Sequence, residues 1–159
     1  MRITVASDHA GFELKKFLAD FLRQSGHTVT DVGTNSTAPV DYPDFAEALS
    51  LSVLRGDSER GILICGSGVG ASVAANKVPG IRAGLCHDAY SAHQGVEHDD
   101  MNVLVLGARV IGEELAKDLC LNFLKARFTG EERHCRRLGK IVSIEERYCQ
   151  QPALKEKHS

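Results

Sequence analysis

This chain lacks any run of apolar residues long enough to span a bilayer. Ser7 and Asp8 break its apolar start, so neither a membrane span nor a secretory leader is expected. It lacks a Cys-x-x-C pair, and its five cysteines are an odd number, which argues against a disulfide framework. It has no excess of one charge: 19 basic and 21 acidic residues leave a net −2, unsuited to non-specific nucleic-acid binding. No two histidines fall at a helical i, i+4 spacing with a third ligand in sight, so no metal site is expected. Internal repeats and low-complexity segments are also missing. What remains is 159 residues, the size of one domain with a real core, whose thiols are expected reduced and mostly buried, as in a cytoplasmic protein.

The apolar pattern alternates between strand and helix periods. Strands are expected at Arg2–Ala6, Thr28–Val32, Gly61–Cys65, Ile81–Cys86 and Asn102–Gly107. Helical spacing runs from Phe12 to Leu22 with a stop at Gly26, then over Asp44–Leu54, Ala71–Lys77, Asp88–Glu97, Gly112–Phe128 and Glu131–Tyr148. Residues 34–43, with Pro39 and Pro43, read as a polar loop. This alternation predicts an α/β fold: one Rossmann-like three-layer domain over 1–148, a five-stranded parallel sheet with helices on both faces. Residues 149–159 read as a flexible tail. Ligands of such sheets bind at the carboxyl ends of strands, where Ser7, Asp8 and His9, Cys65 to Ser67, and His87 with Asp88 collect.

The chemistry concentrates in Gly61-Ile-Leu-Ile-Cys65-Gly-Ser-Gly-Val-Gly70-Ala-Ser72. One reading is a dinucleotide loop, with Asp88 as the ribose contact, although that fingerprint normally follows the first strand and this one follows the third. The other is a cradle of backbone N–H groups from Gly66 to Gly70 for an oxyanion, either a phosphate or charge that develops during reaction. A glycine turn that only permits close packing is the plain alternative. Cys65, at a strand end beside a helix N-terminus, is expected to have its pKa lowered from about 8.5, which suits a nucleophile or a base. Cys86, Cys120 and Cys149 read as buried apolar thiols, and Cys135 as exposed. Arg133 and Arg137 stand at i and i+4, two forks that suit a phosphate or else a solvated face, and Arg109 after the fifth strand is a further anion candidate. His98 precedes the fifth strand, at the sheet edge opposite the carboxyl ends. It reaches such a site only from a long loop or from a neighbouring subunit. His27 and His158 read as surface residues, and His93 is open.

Ser7-Asp8-His9-Ala10-Gly11-Phe12, Asp41-Tyr42-Pro43-Asp44, the Cys65 loop, Ala74-Ala-Asn-Lys77, Gly80-Ile-Arg-Ala83, Asn102-Val-Leu104, Gly107-Ala-Arg109 and Gly130-Glu-Glu-Arg-His-x-x-Arg137 occur in that order. Together they resemble the type B ribose-5-phosphate isomerases and the related galactose-6-phosphate isomerase subunits, over residues 1–147. The resemblance implies a cytoplasmic, cofactor-free aldose–ketose isomerase of ribose 5-phosphate. Its alternatives are an isomerase of a hexose 6-phosphate of the allose or galactose type, or a non-catalytic sugar-phosphate-binding subunit of a hetero-oligomer. It implies a homodimer or dimer of dimers with a shared site, and a C-terminal helix reaching the partner. In that family pattern Cys65 is the base between C1 and C2. Gly66, Ser67, Gly68, Val69 and Gly70 hold the enediolate oxygen. Asp8, His9 and Tyr42 contact the substrate. His98 of the partner opens the ring, and Arg109, Arg133 and Arg137 clamp the phosphate with His134 beside them. A second branch uses a Glu just after the glycine loop; here that position is Ala71, matching the cysteine branch. Asp99 stands where the family usually has a substrate-binding Asn, exchanging amide donors for negative charge.

Overall fold

The computed structural model describes residues 1–149, and the elements alternate as the periodicity predicts. They are β1 (Arg2–Ser7), a 3-10 turn (His9–Gly11), α1 (Phe12–Gln24), β2 (Thr28–Asp31), α2 (Tyr42–Leu54), β3 (Arg60–Cys65), α3 (Val69–Ala75), β4 (Ala83–Leu85), α4 (Ala89–Asp99), β5 (Val103–Gly107), α5 (Glu113–Lys125) and α6 (Glu132–Cys149). The sheet has the order β2-β1-β3-β5-β4, with every pairing parallel. Of the expected tail, Cys149 closes α6, and residues 150–159 lie outside the described residues.

The three layers follow from the period-2 alternation of strand side chains. Ile3 and Val5, Ile62 and Ile64, and Leu104 and Leu106 face α1, α4 and α5, against Leu18, Val96, Leu119 and Phe123. Ala6, Leu63, Cys65, Val103 and Val105 face the other way, against Leu49 of α2 and Ala71 and Ala75 of α3. All six residues of β3 are buried, which is why its sequence is a continuous apolar run rather than an alternating one. The short edge strand β2 keeps the polar, mostly exposed sequence Thr-Val-Thr-Asp.

Element ends shift from the expected ones for local reasons. Helix α2 begins two residues early, at Tyr42, because Pro43 in the first turn gives up an N–H that needs no partner there. Helix α3 begins at Val69, directly after Gly68, whose φ of 83° is left-handed. Helix α5 stops at Lys125, where the Arg60 guanidinium donates to the carbonyls of Phe123 and Ala126.

Cys86 and Cys120 are buried as expected, and Cys135 is exposed. Cys149 corrects its expectation: it is exposed, because α6 buries only His134 and leaves its remaining faces open. Burial, with Asp88 adding, pushes the Cys86 thiol up to about 11. An unfolded chain titrates near 8.5. The stability this neutral thiol contributes is therefore intact below that value and lost as the pH rises towards about 11. Urea midpoints are expected to fall between pH 9 and 11, and to fall less in Cys86→Ala.

Candidate active site

Neighbouring strands β1 and β3 carry their connections to opposite sides of the sheet, which opens a crevice at their carboxyl ends. Asp8 continues the parity of Ala6, and Cys65 that of Leu63, so both side chains leave on the α2–α3 side of that crevice. They meet there: the Cys65 thiol donates to Asp8 Oδ2 at 3.0 Å. The other carboxylate oxygen, Oδ1, accepts from the Gly11 N–H at 3.0 Å and is thereby fixed.

Burial and this contact together reverse the expected shift. The Cys65 pKa is raised, first by burial and then by hydrogen bonding to Asp8 and its negative charge. The Gly66 and Gly68 amides pull it down, but by less. Strand-end placement suggested an electropositive thiol; burial, joined by a carboxylate from a distant segment, outweighs the amides.

The glycine loop turns at Gly68 and leads into α3, with the Val69 N–H donating to Ser67 Oγ at 3.3 Å. Tyr42, at the first turn of α2, lies across the loop. A Cβ added at Gly70 would stand 2.7 Å from its Cζ, so only glycine allows the phenol that close. The Arg109 amide donates to the Gly66 carbonyl at 2.9 Å, and the Arg109 side chain runs alongside Gly66. His9 Nδ1 accepts from the Val40 N–H at 3.2 Å, and His87 Nε2 accepts from the Gly107 N–H at 3.0 Å. Asp88 instead caps α4, accepting from Ser91 at 2.7 Å. That use accounts for it without a ribose.

A second cluster forms at the opposite edge. Helix α4 ends at Asp99, just before β5 begins. There the His98 ring stacks on His134 of α6, with centroids 4.0 Å apart. Gln94 touches His98 Nδ1 at 2.6 Å, and Thr129 Oγ1 meets His134 Nδ1 at 2.7 Å. His134 is buried, and its Nε2 has no partner among the described residues. Its pKa is lowered, by burial first and then by His98 and Arg133, with Arg137 adding. Arg133 also pairs with Glu131 at 2.9 Å. Asp99 lines a cleft of about 410 Å³ together with Arg82 and Glu145.

The site residues expected from the sequence thus fall into two groups. Asp8, His9, Tyr42, Cys65 to Gly70 and Arg109 gather at the carboxyl edge; His98, His134, Arg133 and Arg137 gather at the amino edge. Between the edges runs β3, six residues or about 20 Å. The roles of Gln94 and of the Val40 amide escaped sequence reading, since neither carries a motif. The i, i+4 spacing of Gln94 to His98 was the one available signal.

The description "Ribose/Galactose Isomerase" belongs to the family model that matches residues 3–141. The chain belongs to that family. Ribose-5-phosphate isomerase B of Escherichia coli K12 is 45% identical over 146 residues, covering 92% of this chain and 97% of the relative. D-erythrulose-4-phosphate isomerase of Pectobacterium atrosepticum is 45% identical over 132 residues, covering 82% and 86%. The solved structure of ribose-5-phosphate isomerase B from Clostridium thermocellum superposes with a TM-score of 0.91 at 50% identity, covering 93% of this chain and 99% of that one. Like other members of the ribose/galactose isomerase family, the chain is an aldose–ketose isomerase of sugar phosphates. No helix among the described residues is long and apolar enough to cross a membrane.

Proposed function

We propose that this chain interconverts ribose 5-phosphate and ribulose 5-phosphate through an enediolate, with Cys65 as the proton carrier. The observation that carries the reading is the Cys65–Asp8 contact at the lip of the glycine loop. The Cys65 thiolate takes the C2 proton of the open-chain aldose. The C–H electrons form C1=C2, and the carbonyl pair moves to O1, facing the loop amides. The thiol then returns the proton to C1 while C2=O2 forms, and the O2 proton passes to O1. Asp8 holds the thiol in place, Ser67 shapes the loop, and His9 and Tyr42 contact the sugar.

The remaining groups come from a second copy. One five-carbon phosphate is shorter than the sheet is deep, so a single chain cannot offer it both clusters. A homodimer that sets the amino edge of one copy over the carboxyl edge of the other brings the partner's His98 to the ring oxygen. It also brings the partner's Arg133, Arg137 and His134 to the phosphate. The exposed Val69, Val73, Tyr90 and Val110 support this pairing. In this reading the protein works in the cytoplasm, without a cofactor.

EDTA-treated protein given ribose 5-phosphate in D2O is expected to yield ribulose 5-phosphate, with deuterium at C1 to the extent that the Cys65 thiol exchanges with solvent before it returns the proton. Allose 6-phosphate, galactose 6-phosphate and D-erythrulose 4-phosphate run in parallel; preference for one of these over ribose 5-phosphate rejects the substrate assignment. The raised thiol predicts that kcat/KM climbs with pH through the ordinary thiol range. Asp8→Asn removes the charge that helps raise it, so the rising limb should move to lower pH while kcat falls. A limb that stays put would separate Asp8 from the thiol.

A further inference from the structure

Lys15 of α1 is only 1% exposed, and the sugar chemistry above makes no use of it. Its Nζ donates to Asp31 Oδ1 at 2.8 Å, lies 2.8 Å from Oδ2, and donates to the Thr34 carbonyl at 2.5 Å. Burying an ammonium is costly unless it is paired and hydrogen-bonded, and here its three donors find three oxygens. What it fastens is the segment from Val32 to Asp41, which has neither helix nor strand. Side-chain bonds carry the order along that segment: Ser36 N–H to Thr34 Oγ1, Ala38 N–H to Ser36 Oγ, and Val40 N–H to His9 Nδ1. Thr34 also donates to the Ser7 carbonyl at 3.0 Å, next to Asp8, and the segment ends where Tyr42 opens α2.

The last bond has a definite chemical meaning. A backbone N–H only donates, so His9 Nδ1 is an acceptor without a proton. The neutral ring then carries its proton on Nε2, ready to donate to an oxygen of the substrate. We propose, resting on the sugar-phosphate reading above, that Lys15 is a positioning residue. By pinning Thr34 and Asp31 it holds the Val40 amide on His9, and so fixes His9 as an Nε2–H donor in the site.

Side-chain ¹⁵N NMR of the full chain reads the tautomer, and initial rates on ribose 5-phosphate read KM and kcat. Wild type is expected to show the Nε2–H form. Lys15→Met should mix the tautomers and speed exchange of the Val40 amide. It should also raise KM about tenfold, the loss of one charged hydrogen bond, with kcat changed less. Arg60→Met, which removes another buried cation, at the start of β3, serves as control. It should lower thermal stability and leave KM and tautomer alone. A merely structural Lys15 would lower the active fraction without moving KM. An Nδ1–H tautomer in wild type, or an unchanged KM and tautomer in Lys15→Met, overturns the assignment. Where Lys15→Met does not fold, Asp31→Asn reads the same two quantities. The tautomer is measured without turnover, so a failure of the isomerase reading is distinguishable from a failure of this one.

Discussion

Cys65→Ala lowers kcat on ribose 5-phosphate by between about 10²- and 10⁴-fold and leaves KM nearly unchanged. The thiol sits at the end of β3 with Asp8 as its side-chain partner, while the groups read as binding the sugar lie on other elements. Removing Sγ therefore takes away the proton carrier and leaves the loop amides, Tyr42 and the arginines as they are. Cys65→Ser is expected to be nearly as slow, because a hydroxyl gives up its proton far less readily than a thiol. Isothermal calorimetry with a non-isomerising sugar phosphate should find the alanine variant binding like wild type. Full turnover in that variant would move the proton carrier elsewhere, with Asp8 the next candidate.

Mixing two inactive variants restores activity. Cys65→Ala and His98→Ala each lack one half of a shared site, so each alone is expected to be slow. In a heterodimer of the two, one site takes Cys65 from one chain and His98 from the other and is whole; its twin lacks both. Random exchange of an equal mixture makes half of the dimers mixed, each with one good site in two, so about a quarter of wild-type activity should return. Sedimentation checks that dimers persist. No recovery after proven exchange would reject the shared site, because a site confined to one chain gains nothing from its partner.

Much of the fold could be read directly. The continuous apolar Gly61–Cys65 predicted a strand covered on both faces, and β3 is buried throughout. The alternation of Ile3, Val5, Ile62 and Ile64 against Ala6, Leu63 and Cys65 assigns each strand residue to its layer. Strand order was not legible: nothing in Ala83–Leu85 says that it lies at the edge, with β5 between it and β3. That choice depends on which crossover buries more surface. The spacing of His98 and His134 does not show that they touch, yet they stack because α6 packs back on α4. Lys15 looks like one of several charges on an amphipathic helix. Its burial is decided by Asp31 and Thr34, which arrive from the neighbouring strand and loop.

By itself the sequence determined the α/β class, the glycine turn and the residue types of the site, because local periodicity and turn chemistry act over a few residues. The pairing of Ala6 with Leu63, which the sequence does not show, then sets Asp8 and Cys65 on one face. Only the tertiary structure decided the direction in which the thiol pKa shifts. A strand end next to amides pulls a thiol pKa down, while burial, and after it a carboxylate 57 residues away in sequence at 3.0 Å, pushes it up and prevails. The sequence had already set His98 at the edge opposite Cys65, since a helix that follows a parallel strand must return to the other end before the next strand begins; the tertiary structure brought His134 of α6 onto it.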